Sequence, residues 1–249
     1  MNNTKTALVT GANKGIGFAI AQGLGALGFT VAVGARDDIR RQKAVERLRA
    51  AGIETFGVAL DVTSDDSVVA AAASIEKEAG RLDVLVNNAG ISGRFEDGAQ
   101  NPSTLDLGVL RTVLETNVFG VVRVTNAMLP LLSRASSPRI VNMSSNMGSL
   151  TLQTGPVMAA YAPSKSMLNS VTAQYARRFA DSNIIVNVAC PGYVATDFTR
   201  ARAQGRTTAF HQRPPTTALC RTAIGVQAGG SESVRCSCSR SRLTSAFAR

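Results

Sequence analysis

The chain has 249 residues, with 27 Lys plus Arg against 17 Asp plus Glu, 45% hydrophobic side chains, one His and four Cys. Its length and evenly spread apolar residues suit one α/β domain and exclude a fibrous or wholly disordered chain, and no run approaches the roughly 18 apolar residues of a membrane span. With His211 the only histidine, His-paired nucleophiles and multi-histidine metal centres are excluded too, and no metal is expected.

The opening MNNTKTALVTG runs straight into a strand pattern without a signal-peptide core, so a soluble, cytoplasmic protein is expected. From Thr4 to Val188, short β-branched runs alternate with longer amphipathic segments. The pattern predicts strands over 5–10, 29–34, 54–60, 82–87, 138–144 and 183–189. Between them it predicts helices over 15–27, 38–51, 65–79, 104–133 and 159–181, the third beginning after the cap-like Thr63 and Ser64. This alternation implies an α/β fold, a doubly wound parallel sheet covered by helices on both faces. Such sheets bind ligands beyond the carboxyl ends of their strands, which makes the residues there the first candidates.

After the first strand, the segment TGANKGIG from Thr10 to Gly17 places Gly11, Gly15 and Gly17 at the mouth of a helix. Glycine permits a tight turn and close backbone approach, and a helix N-terminus offers unpaired N–H groups to a pyrophosphate. The spacing G-x3-G-x-G differs from the common G-x-G-x-x-G, and a sharp turn alone would also explain it. The fourth strand ends in DVLVNNAG, from Asp83 to Gly90, a small-residue loop that admits a ligand or simply turns the chain. On the long fourth helix, Leu107, Leu110, Leu114, Val118, Val121, Thr125 and Leu132 form an apolar stripe, with Asn117 beside it as an amide that needs partners when buried.

Ser144 and Ser145 end the fifth strand, and Tyr161 and Lys165, four apart, share one face at the start of the fifth helix. A phenol of pKa about 10 is a poor acid or base at neutral pH unless a cation stabilises its phenolate. At ~4 Å and an effective dielectric of ~20 that attraction is about 4 kcal/mol, an upper bound of roughly three pKa units, which would bring Tyr161 toward neutrality. Ser145 would add a hydrogen-bond donor for a carbonyl oxygen. Taken alone, a Tyr and a Lys at this spacing are usually a solvated helix face.

Together and in order, TGANKGIG, NNAG, Asn117, Ser145, the YAPSK segment from Tyr161 to Lys165, and Pro191-Gly192 resemble the short-chain dehydrogenase/reductase family over roughly residues 4–199. Lys14, the Gly34-Ala35-Arg36 strand end and the NVFG run from Asn117 make the chain most similar to carbonyl-reductase-like, NADPH-preferring members. The resemblance implies a Rossmann-like fold and hydride transfer from NADPH to the carbonyl of a ketone, aldehyde or quinone, giving the alcohol. It implies Tyr161 as general acid and Lys165 as the cation that lowers its pKa and holds the nicotinamide ribose. Ser145, rather than Ser144, would orient the substrate oxygen, and the backbone around Asn117 would hold a water linking Lys165 to solvent. On the cofactor side it implies Gly11, Asn13, Lys14, Gly15, Ile16 and Gly17 at the phosphates, and Asp61 and Val62 at the adenine. Asn87, Ala89 and Gly90 would form the cofactor-side loop, with Val194 and Thr196 at the nicotinamide carboxamide.

A ribose 2′-phosphate needs cations where NAD sites place a carboxylate. Arg36 ends the second strand, Arg40 follows one helical turn later and Lys14 lies in the Gly-rich turn, so NADPH is expected over NADH. Asp37 argues the other way, but it is equally well placed as a helix N-terminal acid or cap.

The domain is expected to end near residue 199. Residues 1–199 carry a net +2, whereas 200–249 carry nine Arg against Glu232 alone and show no apolar period. A zinc set of His211, Cys220, Cys236 and Cys238 is countable, yet C-x-C is not the usual ligand spacing. A nucleic-acid arm is disfavoured by the dispersed Arg residues and the lack of an aromatic ladder. The segment reads as an atypical, poorly ordered tail of the kind a reading-frame shift produces, in place of the family's substrate-covering helix and seventh strand. The alternative function is therefore a catalytically impaired or non-catalytic NADP-binding protein. The gap from Ser145 to Tyr161 is a few residues longer than in most members, predicting an extra turn beside the substrate mouth. A homo-oligomer through the helices over 104–133 and 159–181 is the other expected association.

Overall fold

β-Branched and apolar runs become six parallel strands, β1 (Thr6–Thr10), β2 (Thr30–Ala35), β3 (Thr55–Ala59), β4 (Val84–Asn87), β5 (Arg139–Met143) and β6 (Ile185–Ala189), in the order β3-β2-β1-β4-β5-β6. The computed structural model describes residues 4–93, 99–151, 156–192, 194 and 196, so the expected tail over 200–249 lies outside the described residues. All six predicted strands are present, five of them slightly shorter than the predicted run and β2 of equal length but one residue later. Alternating residues serve two cores. Ala7, Val9, Val31, Val33, Val84 and Val86 pack under α1 (Gly15–Ala26) and α2 (Asp38–Ala50). Leu8, Ala32, Leu85 and Ile140 pack on the opposite face under α3 (Asp65–Ala79) and a later helix, α5 (Gly120–Leu132). The doubly wound α/β expectation thus holds.

Helix starts follow their local chemistry. Ser64 caps α3 by accepting the Ser67 N–H at 3.2 Å, and Gly80, at φ 71°, ends that helix in the left-handed region where a side chain would be strained. Asp37 caps α2, its Oδ1 accepting the Arg40 N–H at 2.9 Å. No helix among the described residues is long and apolar enough to cross a membrane.

The single helix predicted over 104–133 is instead a 3-10 turn at Pro102–Thr104, then α4 (Leu107–Leu114), a π turn at Glu115–Phe119, and α5. Its buried side follows Val109, Val113, Asn117 and Val121, so Leu107, expected in the stripe, is 56% exposed. The reason is periodic. Three steps of four residues exceed three turns of ~3.6 by about one residue, and the π turn absorbs the excess. A stripe drawn at constant pitch therefore starts on the wrong side. The last predicted helix is α6 (Tyr161–Arg178), which opens on the tyrosine itself.

Just past the π turn, α5 comes close to the segment after β3. A Cβ on Gly120 would stand 2.9 Å from Val62 Cγ2 and 3.0 Å from the Val62 carbonyl oxygen. Gly120→Ala is therefore expected to destabilise the protein by about 1–3 kcal/mol in urea unfolding, and an unchanged midpoint would refute the close approach.

Candidate active site

The strand order reverses between β1 and β4, so the segments after these strands flank one crevice. They are stitched together by Thr10, the last residue of β1, whose hydroxyl oxygen accepts the N–H groups of Asn88 at 3.0 Å and Ala89 at 2.9 Å. Asn88 returns the contact, donating from Nδ2 to the Thr10 carbonyl at 2.9 Å and to the Gly11 carbonyl at 3.3 Å. The turn can lie this close only without side chains. A Cβ on Gly11, at φ 65°, would come 3.0 Å from Ala89 Cα, and one on Gly17 would overlap the Gly11 carbonyl oxygen and the Asn88 amide. Two of the three motif glycines are thus needed for loop packing. The third, Gly15 (φ 56°), faces Thr196, whose Cγ2 would lie 3.5 Å from a Cβ there, so Thr196 stands beside the Gly-rich turn.

Helix α1 opens from this turn with Lys14 at its N-cap position, no side-chain cap bond and no acidic residue in its first turn. An N-terminus so arranged, with Lys14 and a glycine backbone beside it, suits an anionic phosphate and fits a dinucleotide. Asn13 is half-buried in the turn, whereas the Ile16 side chain packs against the first core.

Across the crevice mouth, β5 ends and α6 begins. Ser144 turns its hydroxyl away, donating to Asn169 Oδ1 at 2.7 Å, while the half-buried Ser145 caps the 3-10 turn Asn146–Gly148 and is hydrogen-bonded to the Tyr161 phenol. Lys165 stands one turn beyond Tyr161, with Nζ 5.6 Å from the centre of the ring. Lys165 is only 6% exposed, and its ammonium donates to the Met143 carbonyl at 2.8 Å. Ser145, Tyr161 and Lys165 therefore meet as expected, but the electrostatics differ from the sequence argument. Burial pushes the Tyr161 phenol up to about 12, outweighing the hydrogen bond with Ser145 that pulls it down. Burial likewise brings Lys165 down to about 8, against a smaller opposing influence of Cys190. Desolvation, which sequence spacing does not reveal, outweighs the expected acidification of the phenol. At neutral pH, Tyr161 keeps its proton next to a largely charged Lys165, a pairing able to donate a proton to an oxygen and then stabilise the anion left behind.

Asn117 sits fully buried in the π turn. Its Oδ1 accepts the Ile91 N–H at 2.8 Å, and its Nδ2 donates to the Ile91 carbonyl at 2.9 Å and to Ser164 Oγ at 3.0 Å. The amide thus joins the segment after β4 to α6, next to Lys165. Gly90 completes the junction, since a Cβ there would stand 3.1 Å from Asn117 Oδ1 and 3.8 Å from Lys165 Nζ.

The remaining candidates divide. Asn87 turns inward, giving its Nδ2 to Thr125 at 3.0 Å and to Asn142 at 2.8 Å, so it supports the strand end from within the core. Ala89 and Gly90, in the same loop, are half-buried, as is Val194. Val62 is buried against Gly120. Burial alone would raise the Asp61 carboxyl, but hydrogen bonds from Thr63 and then the charges of Arg36 and Arg123 hold it below its ordinary value. Arg36 and Asp61, at the ends of β2 and beyond β3, are therefore electrostatic neighbours. Arg40 is exposed and pairs with Asp37 at 3.6 Å, so the Asp37 carboxylate is engaged by α2. The sequence reading overlooked Thr10 and Asn88 as the stitch and Gln100 as a partner of the Tyr161 backbone. The first two were detectable as polar neighbours of the glycine and asparagine motifs, whereas Gln100 had no local signal.

Comparison with known proteins agrees with this fold. The sequence model of the short chain dehydrogenase family matches residues 5–207. A short-chain dehydrogenase of Penicillium roqueforti, anuI, is 36% identical over 77% of this chain and 79% of its own. The 3-oxoacyl-[acyl-carrier-protein] reductase FabG of Staphylococcus aureus is 35% identical over 81% and 79%. Among solved structures, a tryptophan variant of actinorhodin polyketide ketoreductase with NADPH superposes with a TM-score of 0.70 at 36% identity, over 78% of this chain and 72% of that one. A metagenomic short-chain oxidoreductase in complex with NADP gives 0.67 at 33% identity, over 76% and 83%.

Lys165 makes stability depend on pH in a defined direction. Its folded value, about 8, lies below the 10.5 of the free side chain, so the folded state gains on the unfolded one as pH rises through that window and loses as pH falls. Lys165→Met removes the buried charge. Its stability advantage over wild type is expected to shrink by on the order of 2–3 kcal/mol between about pH 7 and pH 10 in denaturant titrations, and a constant difference would contradict the buried ammonium.

Proposed function

The chain belongs to the short-chain dehydrogenase family of oxidoreductases, and from that premise we propose that it reduces the carbonyl of a ketone, aldehyde or quinone to the alcohol with NADPH, using Tyr161 as the acid. The observation that carries this reading is the meeting of Ser145, Tyr161 and Lys165 at the crevice into which the Gly-rich turn opens. Lys14, the glycines at 11, 15 and 17 and the first turn of α1 would hold the phosphates, with Asp61, Val62, Ala89, Gly90, Val194 and Thr196 along the rest of the dinucleotide. NADPH, once bound, supplies the hydride.

The chain's own groups handle the oxygen. Ser145 orients it, and Tyr161 passes its proton to it as the alcohol forms. A phenol held at about 12 is fully loaded for that transfer at neutral pH. The phenolate left behind lies near the Lys165 ammonium in a water-poor setting, where the attraction is strong. The proton is restored past Lys165, through a water held at the backbone near Asn117. Arg36 and Arg40, with Asp37 occupied as a helix cap, support NADPH over NADH, and relatives solved with NADPH and NADP support the same choice. Self-association through α4, α5 and α6 rests on the exposed Leu107, Phe119 and Met167.

A second reading, cofactor binding without turnover, is favoured by one observation, the change after Thr199 to nine Arg against one Glu. We attribute that change to a shifted reading frame, which the alternative frames of the coding DNA would reveal as a strand-like continuation. Wild-type protein that binds NADPH yet leaves a broad carbonyl panel unreduced would decide for this reading.

Tyr161→Phe is expected to lower kcat by about 10²–10⁴-fold while leaving the NADPH Kd within about threefold, and equal turnover by both proteins would refute the acid. Arg36→Ala is expected to weaken NADPH roughly tenfold more than NADH in binding titrations, and parallel losses would remove Arg36 from the 2′-phosphate.

A further inference from the structure

Helix α6 begins without a cap of its own. Ala160 occupies its N-cap position and makes no side-chain bond, although alanine is among the poorest residues there. The Ala162 N–H is taken locally by the Met158 carbonyl at 2.9 Å, but those of Ala159, Ala160 and Tyr161 need acceptors from elsewhere. They find them 60 residues upstream. The Gln100 side-chain oxygen Oε1 accepts the N–H of Ala160 at 3.3 Å and of Tyr161 at 3.0 Å. The Gln100 backbone carbonyl accepts the N–H of Ala159 at 3.1 Å. Its Nε2 donates to the Ser92 carbonyl at 2.6 Å, and the residue is only 7% exposed.

We propose that Gln100 is a positioning residue for the acid, capping the helix that starts at Tyr161 and tying its first turn to the segment after β4. The proposal rests on the carbonyl-reductase reading above. Its physical basis is a two-point grip. Gln100 holds residues 159–161 and Ser92, while Asn117 holds Ser164 and the adjacent Ile91, so one short segment after β4 is fastened to α6 at two successive levels. Asn117 fixes the level of Lys165 and Gln100 the level of Tyr161. With the upper grip removed, the first turn is free to fray, and the phenol shifts relative to Ser145 and Lys165 while the Gly-rich turn on the far side of the crevice stays in place. Because proton transfer depends steeply on the separation of the reacting groups, the loss falls on kcat rather than on cofactor binding.

Three variants separate the contributions. Leucine nearly keeps the volume but accepts nothing, alanine removes the side chain, and glutamate restores an acceptor for the helix N–H groups while losing the donor to Ser92. The measurements are kcat and KM for NADPH and a carbonyl substrate, together with amide hydrogen exchange at residues 159–161. Q100L and Q100A are expected to lower kcat roughly tenfold with the NADPH KM within about twofold, and to accelerate exchange at Ala160 and Tyr161. Q100E is expected to recover most of both losses. A folded Q100L with wild-type kcat, or with unaltered exchange at those amides, overturns the proposal, as does a Q100E no better than Q100L. If wild-type protein reduces no carbonyl, the reductase reading fails separately. Exchange then judges the cap alone, faster exchange in Q100L upholding it and unaltered exchange overturning it.

Discussion

Keeping the Lys165 ammonium inside the protein is the constraint on which the site depends. A buried charge costs several kcal/mol unless polar partners surround it. Here the end of β5 supplies the Met143 carbonyl at 2.8 Å. Beside the ammonium lies Gly90, where a Cβ would press on Asn117 Oδ1 at 3.1 Å and reach van der Waals contact with Lys165 Nζ at 3.8 Å. These contacts place the helix start that carries Tyr161, and they explain the opposed displacements of the two groups. The same desolvation that makes the ammonium easier to deprotonate makes the phenol harder to ionise. The pair consequently stores a proton on the tyrosine and retains a cation ready for the phenolate. The proposed reduction would use this arrangement, since the proton must be present before negative charge develops on the substrate oxygen.

The crevice itself is a product of loop-to-loop packing. Thr10 and Asn88 exchange hydrogen bonds across the switch point, and Gly11 and Gly17 are small because each lies against that second loop. The shape of the Gly-rich turn is therefore maintained by contacts made 77 to 79 residues away along the chain. The Tyr161 side has the same construction. The segment after β4 is held by Thr10 at one end and by Asn117 and Gln100 at the other, so a single short stretch connects the Gly-rich side of the crevice with the Tyr161 side. Such a connection gives the two halves a common frame, which the proposed delivery of hydride and proton to adjacent atoms would demand.

Much of this was legible before any coordinates. The alternation of β-branched runs with amphipathic segments located all six strands, because parallel strands covered on both faces must be apolar throughout. The polar residues that meet at the site followed from ordered motifs at strand ends and at a helix start. The failure over 104–133 has a definite cause. A constant helical pitch was assumed across Asn117, and a π turn is a response to packing around that buried amide that local propensity does not announce.

Strand positions, the helix that carries Tyr161 and Lys165 on one face, and the break in charge after residue 199 were determined by the sequence alone, since each rests on local period or composition. Tertiary structure alone decided that the phenol is driven upward, that Asn87 turns into the core, that Thr10 and Asn88 join the two loops, and that the cap of α6 comes from Gln100. Desolvation depends on everything that surrounds a group, and a hydrogen bond across 60 residues leaves no periodic trace, so neither is written in the neighbourhood of the residue it governs.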